Sequence, residues 1–173
     1  MAGRVESYGP ATYGERLAKV YDRWYGATAR LDPTAAVRFL AGLAAGGRAL
    51  ELGVGTGRVA VPLASAGVQV VGIDASQVMV SRLRAKHGAR EIEVVTGNFA
   101  DVEVEGAFSL VYIPFTTLFA LLTQDEQIRC LSNVTGHLAD AATSSWRPSC
   151  PISRVTEGIV SSRPRPSRWV PTT

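Results

Sequence analysis

Apolar residues along this chain alternate between helical spacing and short unbroken runs. The stretch "ATYGERLAKVYDRWYG" carries Leu17, Val20, Tyr21 and Trp24 at helical spacing and predicts an amphipathic helix. "DPTAAVRFLAGLAAGG" predicts a second, with Asp32 as its cap, Pro33 in its first turn and Gly46-Gly47 at its end. "RALEL" reads as a short buried strand, "GRVAVPLASAG" as a helix closed by Gly67, and "VQVVGID" as a strand. "SQVMVSRLRAKHG" predicts a helix capped by Ser76, with Val78, Met79 and Leu83 on one side, and "EIEVVTG" and "FSLVYIPF" are further strands. "TQDEQIRCLSNVTGHLA" predicts a helix in which Thr123 caps, Glu126 completes the capping box, and Ile128, Leu131, Val134 and Leu138 face inward. Strands alternating with helices give an α/β protein, a doubly wound, mostly parallel sheet with helices on both faces.

Composition narrows the picture. A chain of 173 residues with 46% apolar residues suits one domain with a core of its own. No apolar run is long enough to cross a membrane, and "MAGRVESYGP" lacks the apolar centre of a secretion signal, so a cytoplasmic setting is expected. Cys130 and Cys150 have neither metal-ligand spacing nor a disulfide pattern, so no metal is expected and reduced thiols are. The net charge is +3, but residues 1–139 carry 13 basic and 13 acidic side chains. The excess lies in the last 34 residues, so the core offers no basic face to nucleic acid.

Candidate chemistry begins at "ALELGVGTGRVAVPL", where Gly53, Gly55 and Gly57 alternate after an apolar run holding Glu51. In doubly wound sheets ligands bind beyond the carboxyl ends of the strands. Glycines there let the chain bend tightly and let a ligand approach the backbone, and the following helix directs amide N–H groups toward it. Asp74 ends the second strand, where a carboxylate can accept from two ribose hydroxyls, the alternative being a loop acid that caps the next helix. A nucleoside ligand follows, and two classes compete for it. A dinucleotide fold uses G-x-G-x-x-G, whereas here the third glycine comes one residue early. A nicotinamide-dependent oxidoreductase would also need a Tyr/Lys or His set after the fourth strand, which is not found.

"LELGVGTGR" resembles the first motif of class I S-adenosylmethionine-dependent methyltransferases of the small-molecule type, and the similarity runs from about Tyr13 to Ala139. "GID" with Asp74, "TGNFADV", and the "FSLVYIPFTTLFALL" strand with its following helix match in order. The resemblance implies a Rossmann-like sheet of seven strands, S-adenosyl-L-methionine as cofactor, and methyl transfer to a small-molecule acceptor. It implies that Gly53, Val54, Gly55 and Gly57 flank the methionine part and that Glu51 orients the loop and meets the amino group. Asp74 would hold the ribose with Ala75 and Ser76 beside the adenine, and Asn98 and Phe99 would meet the adenine edge. Position 98 is commonly Asp in relatives. Asn98 keeps an acceptor but loses charge, which implies weaker binding, and it also reads as a plain turn residue. Tyr112 would place its backbone near the methyl group. Phe115, Thr116 and Thr117 would border the acceptor pocket, or serve as ordinary core and cap. "VYDRWYG" is similar to the tyrosine-bearing lid of these enzymes. Tyr13 and Tyr21 would meet the cofactor carboxylate or cover the site, or else form a packing stripe.

Displacement at an activated sulfonium needs alignment and a dry pocket, with a base only for a weak nucleophile. His87 and His137 are the candidate bases by type, but both fall far from the strand ends, so no catalytic residue is assigned. The division expected is a core over 1–139, with 1–30 as a helical lid, and an irregular tail over 140–173 holding five of the nine prolines. The family continues past "GHLA" with a glycine turn and an apolar strand. Read two nucleotides out of frame, common serine codons in "TSSWRPSCPIS" can spell such a turn and strand, which points to a frame shift near residue 140. Strands five to seven would then be missing, leaving "FSLVYI" as an apolar edge and a homodimer as the expected association. A cofactor-binding remnant without catalysis is the alternative function.

Overall fold

The computed structural model describes residues 8–26, 32–146 and 158–161, with side chains up to residue 139. Parts of the expected lid, Cys150 and most of the basic tail lie outside the described residues. The elements are α1 (Thr12–Gly26), α2 (Thr34–Ala44), β1 (Ala49–Leu52), α3 (Ala60–Ser65), β2 (Val70–Asp74), α4 (Gln77–Arg84), β3 (Glu93–Thr96), β4 (Phe108–Ile113), α5 (Gln124–His137), β5 (Leu138–Trp146) and β6 (Gly158–Ser161). The sheet order is β3-β2-β1-β4-β5-β6, with β1 to β5 parallel and β6 antiparallel. The expected doubly wound, Rossmann-like sheet is therefore present. The chain winds outward from β1 to β3 and returns to place β4 on the other flank of β1. That reversal opens a crevice at the carboxyl end of β1.

Alternation along the strands sends side chains into two apolar layers. Ala49, Val70, Leu110 and Tyr112 join the layer beneath α2 and α3, while Leu50, Leu52, Val71, Ile73, Phe108 and Val111 join the layer beneath α5. Every residue of β1 is buried, as parallel strands covered on both faces require. Burial of a side chain such as Leu50 or Leu52 stabilises by roughly 1.5–3 kcal/mol.

Most local signals act as the sequence suggests. Thr123 and Glu126 form the capping box, Ser76 accepts from Met79 N at 3.3 Å, and Asp32 accepts from Thr34 N at 2.9 Å. Three expectations are corrected. Val78 is exposed, at 43%, whereas Met79, Val80 and Leu83 form the buried side of α4. Ile128 and Leu131 are exposed, at 54% and 48%, whereas Cys130 and Val134 are buried. The inward face of α5 is rotated because its polar residues find partners there: Gln127 Nε2 donates to Leu121 O at 3.0 Å, and Asn133 Nδ2 to Ala100 O at 3.0 Å and Asp101 O at 3.1 Å. The bare β4 edge is also corrected, because residues 138–146 extend beside β4 and pair with it; apart from these and 158–161, the expected tail lies outside the described residues. Pairing uses only backbone groups, so the lack of an apolar period does not prevent it. The pairing slips between Phe108 and Leu110, where the chain passes from α5 directly into β5. With β4 covered on both sides, the homodimer loses the edge on which it was expected.

Candidate functional site

At the carboxyl end of β1 the chain enters a bend in which Gly53, Gly55 and Gly57 have φ of 74°, 55° and 76°. These are left-handed conformations that favour glycine. A side chain on Gly53 would collide with Cγ2 of Thr117, so glycine there also serves close packing. Gly53 N and Val54 N both donate to Ile73 O, at 2.8 and 2.9 Å, which ties the bend to the end of β2. Asp74 faces it: Oδ2 accepts from Gly55 N and Oδ1 from Ser76 N, each at 2.8 Å. Burial raises the Asp74 pKa against the lowering effect of these two amides. A carboxylate offers about four lone-pair directions, so two remain for hydroxyls of a ligand.

Glu51 points into the α2–α3 layer between Gly72 and Tyr112, its register partners on β2 and β4. Tyr112 Oη donates to Glu51 Oε2 at 2.7 Å. Burial pushes the Glu51 pKa up to about 8 despite the opposing Tyr112 hydrogen bond and Arg58 charge. Burial also raises the Tyr112 hydroxyl, with the Glu51 charge adding to it. A protonatable acid thus sits directly beneath the glycine bend.

Above the bend lies α1. Gly14 allows its close approach, since a Cβ there would lie 2.7 Å from Ser76 Oγ and 3.0 Å from Met79 Cγ. Asp22 Oδ1 accepts from Thr56 Oγ1 at 2.6 Å and from Lys86 Nζ at 2.8 Å, linking α1 to the bend and to the residues after α4. Desolvation works against ionised Asp22, but hydrogen bonds from Lys86 and Thr56 outweigh it and lower the pKa. Tyr21 and Tyr25 pack with ring centroids 4.5 Å apart. Burial, then a hydrogen bond with Tyr25, raises the pKa of Tyr13. Together with Phe115, Thr116 and Thr117, these tyrosines line a cavity of 370 Å³.

Phe115 adopts φ 58°, an unusual backbone for a bulky residue. Asn98 Oδ1 accepts from Ala100 N at 3.0 Å, so the residue does form a turn. Phe99 is buried in the core and lies near Gly53. Glu51, the glycine bend, Asp74, Ala75, Ser76 and Tyr112 therefore converge at neighbouring strand ends. His87 lines a separate, open trough of 890 Å³ at the amino ends of β2 and β3. His137 Nδ1 lies 3.4 Å from Gly106 O, just before β4. Neither reaches the bend. Sequence reasoning missed Asp22, Thr56 and Lys86, whose partners are far apart in the chain. It also missed Arg129 and Asn133, which hold the loop after β3 through Asp101 at 2.9 Å and the carbonyls named above.

A doubly wound parallel sheet with a bare glycine bend and an acid at the next strand's end defines a nucleoside-binding α/β protein. A family profile described as a methyltransferase domain matches residues 49–141. The chain is 33% identical over 138 residues to the cypemycin N-terminal methyltransferase of a Streptomyces species, covering 75% of this chain and 53% of that protein. It is similar to the CcbJ methyltransferase structure from Streptomyces caelestis at 43% identity and a TM-score of 0.75, covering 81% of this chain and 58% of that one. CalS10, a methyltransferase from Micromonospora echinaspora solved with its cofactor bound, shares the fold at 18% identity and a TM-score of 0.63, covering 78% of this chain and 56% of that one. The chain belongs to the methyltransferase-domain family, and its sheet has the fold of these methyltransferase structures. It spans about half the length of the relatives it matches. Among the described residues, no helix is long and apolar enough to cross a membrane.

Proposed function

We propose that this chain transfers a methyl group from S-adenosyl-L-methionine to an amine nitrogen of a small-molecule acceptor by in-line displacement. The observation that carries this is the convergence of the glycine bend, Glu51–Tyr112 and Asp74 at the carboxyl ends of β1, β4 and β2. When bound, the cofactor supplies a methyl group already activated on its sulfonium, and the chain supplies binding and alignment. Gly53, Val54, Gly55 and Gly57 leave room for the methionine part, and Asp74 accepts from the ribose. Ala75 and Ser76 border the adenine, with Asn98 and Phe99 at its edge. Glu51 faces the amino group in a site that Tyr112 keeps ordered. Phe115, Thr116 and Thr117 border the acceptor, and α1 covers the site with Tyr13 and Tyr21.

An amine acceptor is supported by the name of the 33% identical relative. It is also supported by chemistry, since a neutral amine brings its own lone pair and needs no strong base. A cytoplasmic setting fits the buried free thiol of Cys130. Calorimetry with S-adenosylmethionine and NAD, followed by labelled methyl transfer to a panel of amines, tests the reading. Binding of NAD in preference to S-adenosylmethionine would overturn it. A second reading is cofactor binding without turnover. Binding without label transfer to any amine would select it. The frame-shift proposal is tested by the gene's DNA: the absence of an open alternative frame beyond codon 140 rules it out.

A further inference from the structure

We propose that Arg58 is a carboxylate-binding residue of the tyrosine-lined cavity, an inference that rests on the methyl-transfer reading of the site. Arg58 directly follows the glycine bend and lines the cavity together with Tyr8, Tyr13, Tyr21, Tyr25 and Phe115. Its guanidinium carbon lies 3.8 Å from the centroid of the Phe115 ring and 5.1 Å from that of Tyr25. Two of its nitrogens, Nε and Nη1, are buried and make no hydrogen bond. Among the described residues Arg58 makes no ion pair. Arg48 also has a buried Nε without a partner, but its guanidinium is paired with Glu93 at 3.7 Å. Among the described residues, the Arg58 guanidinium rests against the aromatic faces of Phe115 and Tyr25.

Such a group is costly to leave as it stands. A buried guanidinium's unmade hydrogen bonds carry a penalty. Aromatic faces favour the cation but satisfy none of its N–H donors. The backbone of Phe115 is held at φ 58° while its ring lies against the guanidinium. Strain of this kind persists where the surroundings enforce it, often at ligand sites. Glu51 is the acid whose titration feels Arg58, and burial favours its neutral form. The unmet demand is for a planar anion with two acceptor oxygens, which is a carboxylate. Gly53, Gly55 and Asp74 do not line this cavity, so the anion enters beside the nucleoside site. Two sources have this chemistry: the amino-acid end of the cofactor and an acidic acceptor.

The test uses the full chain as wild type, Arg58→Met and Arg58→Lys. Calorimetry compares S-adenosylhomocysteine, which has the carboxylate, with methylthioadenosine, which lacks it. Arg58→Met weakening the first at least about tenfold, with the second unchanged, supports the proposal and assigns the carboxylate to the cofactor. Arg58→Lys, which keeps the charge without the planar fork, falls between the two. If neither nucleoside is affected, the S-adenosylhomocysteine-loaded protein is titrated with benzoate and benzamide, followed by NMR. A benzoate preference present in wild type and lost in Arg58→Met supports an acidic acceptor. No such preference, or equal loss of both nucleosides in Arg58→Met, overturns the proposal. A wild-type protein that binds neither nucleoside sinks the methyl-transfer reading instead. The carboxylate arm, run on the unloaded protein, still decides Arg58.

Discussion

The two halves of the sheet are specified in different ways. On one side, β1 is locked to β2 and β4 by side chains: Asp74 bonds the bend at Gly55, Glu51 bonds Tyr112 on β4, and Gly72 makes room for Val54, which a Cβ there would approach to 2.7 Å. On the other, β5 joins β4 through backbone pairing, with a register shift, and β6 pairs in the opposite sense. The contrast teaches where binding resides. A cofactor site needs side chains fixed in register, whereas a flanking strand needs only extended backbone beside a partner.

The contrast can be broken or sharpened by substitution. The largest effect is expected at Asp74. Asp74→Ala removes the charge-assisted bonds from Gly55 N in the bend and from Ser76 N at the start of α4, as well as the proposed ribose contacts. Affinity for S-adenosylhomocysteine should fall by about 100-fold or more, at roughly 1.5–3 kcal/mol per bond. Calorimetry on protein shown to be folded measures it, and a loss below about threefold would deny the acid its role.

Glycine substitutions come next. Gly53→Ala meets both a left-handed backbone and Thr117, whereas at Gly55 the nearest atoms to a Cβ are 4.0 Å away. Gly55→Ala should destabilise by about 1–2 kcal/mol from conformation alone. Gly53→Ala should cost more, by a further ~1–3 kcal/mol for overpacking. Urea unfolding of the pair reads the difference, and equal midpoints would show that Thr117 yields freely.

Glu51 gives a pH signature. Its folded pKa, about 8, lies above the ordinary 4.5, so the folded state holds the proton more tightly. The stability this contributes is present at low pH and is lost as pH rises through about 8. Glu51→Gln should abolish that slope. Melting temperatures of the two proteins from about pH 5.5 to 9 should therefore converge or cross as wild type weakens. A constant difference would show that Glu51 does not titrate in this range.

Asp22→Asn is expected to be milder. Lys86 and Asp22 are 32% and 38% exposed, and such a pair is worth no more than about 1 kcal/mol. Faster hydrogen exchange in α1, with nearly unchanged global stability, would show that the link tethers the cover rather than the core. The smallest effect on binding is expected from Ser144→Pro, at the position of β5 facing Val111. It removes a backbone donor from the ladder and should lower stability, yet leave cofactor affinity within about threefold. A collapse of affinity would show that the two halves are coupled.

Much of this was legible in the chain. Caps depend on neighbours three residues apart, so Ser76 with Met79 and Thr123 with Glu126 could be read directly. Asp74 and the glycine bend were legible because a strand end and a tight turn both leave local marks. The bonding of Tyr112 to Glu51 was not, since it requires the register of β4 on β1. The rotation of α5 was hidden because Gln127 and Asn133 face inward for hydrogen bonds that apolar periodicity cannot reveal.

The sequence by itself determined the alternating elements, their caps and the glycine bend beside an acid, because each depends on conformational preferences within a few residues. Tertiary structure alone decided that Glu51 meets Tyr112, that Asp22 reaches Thr56 and Lys86, and that the Arg58 guanidinium lies against Phe115. Those contacts join residues brought together only when the sheet forms, and no local pattern encodes which distant partner a side chain will find.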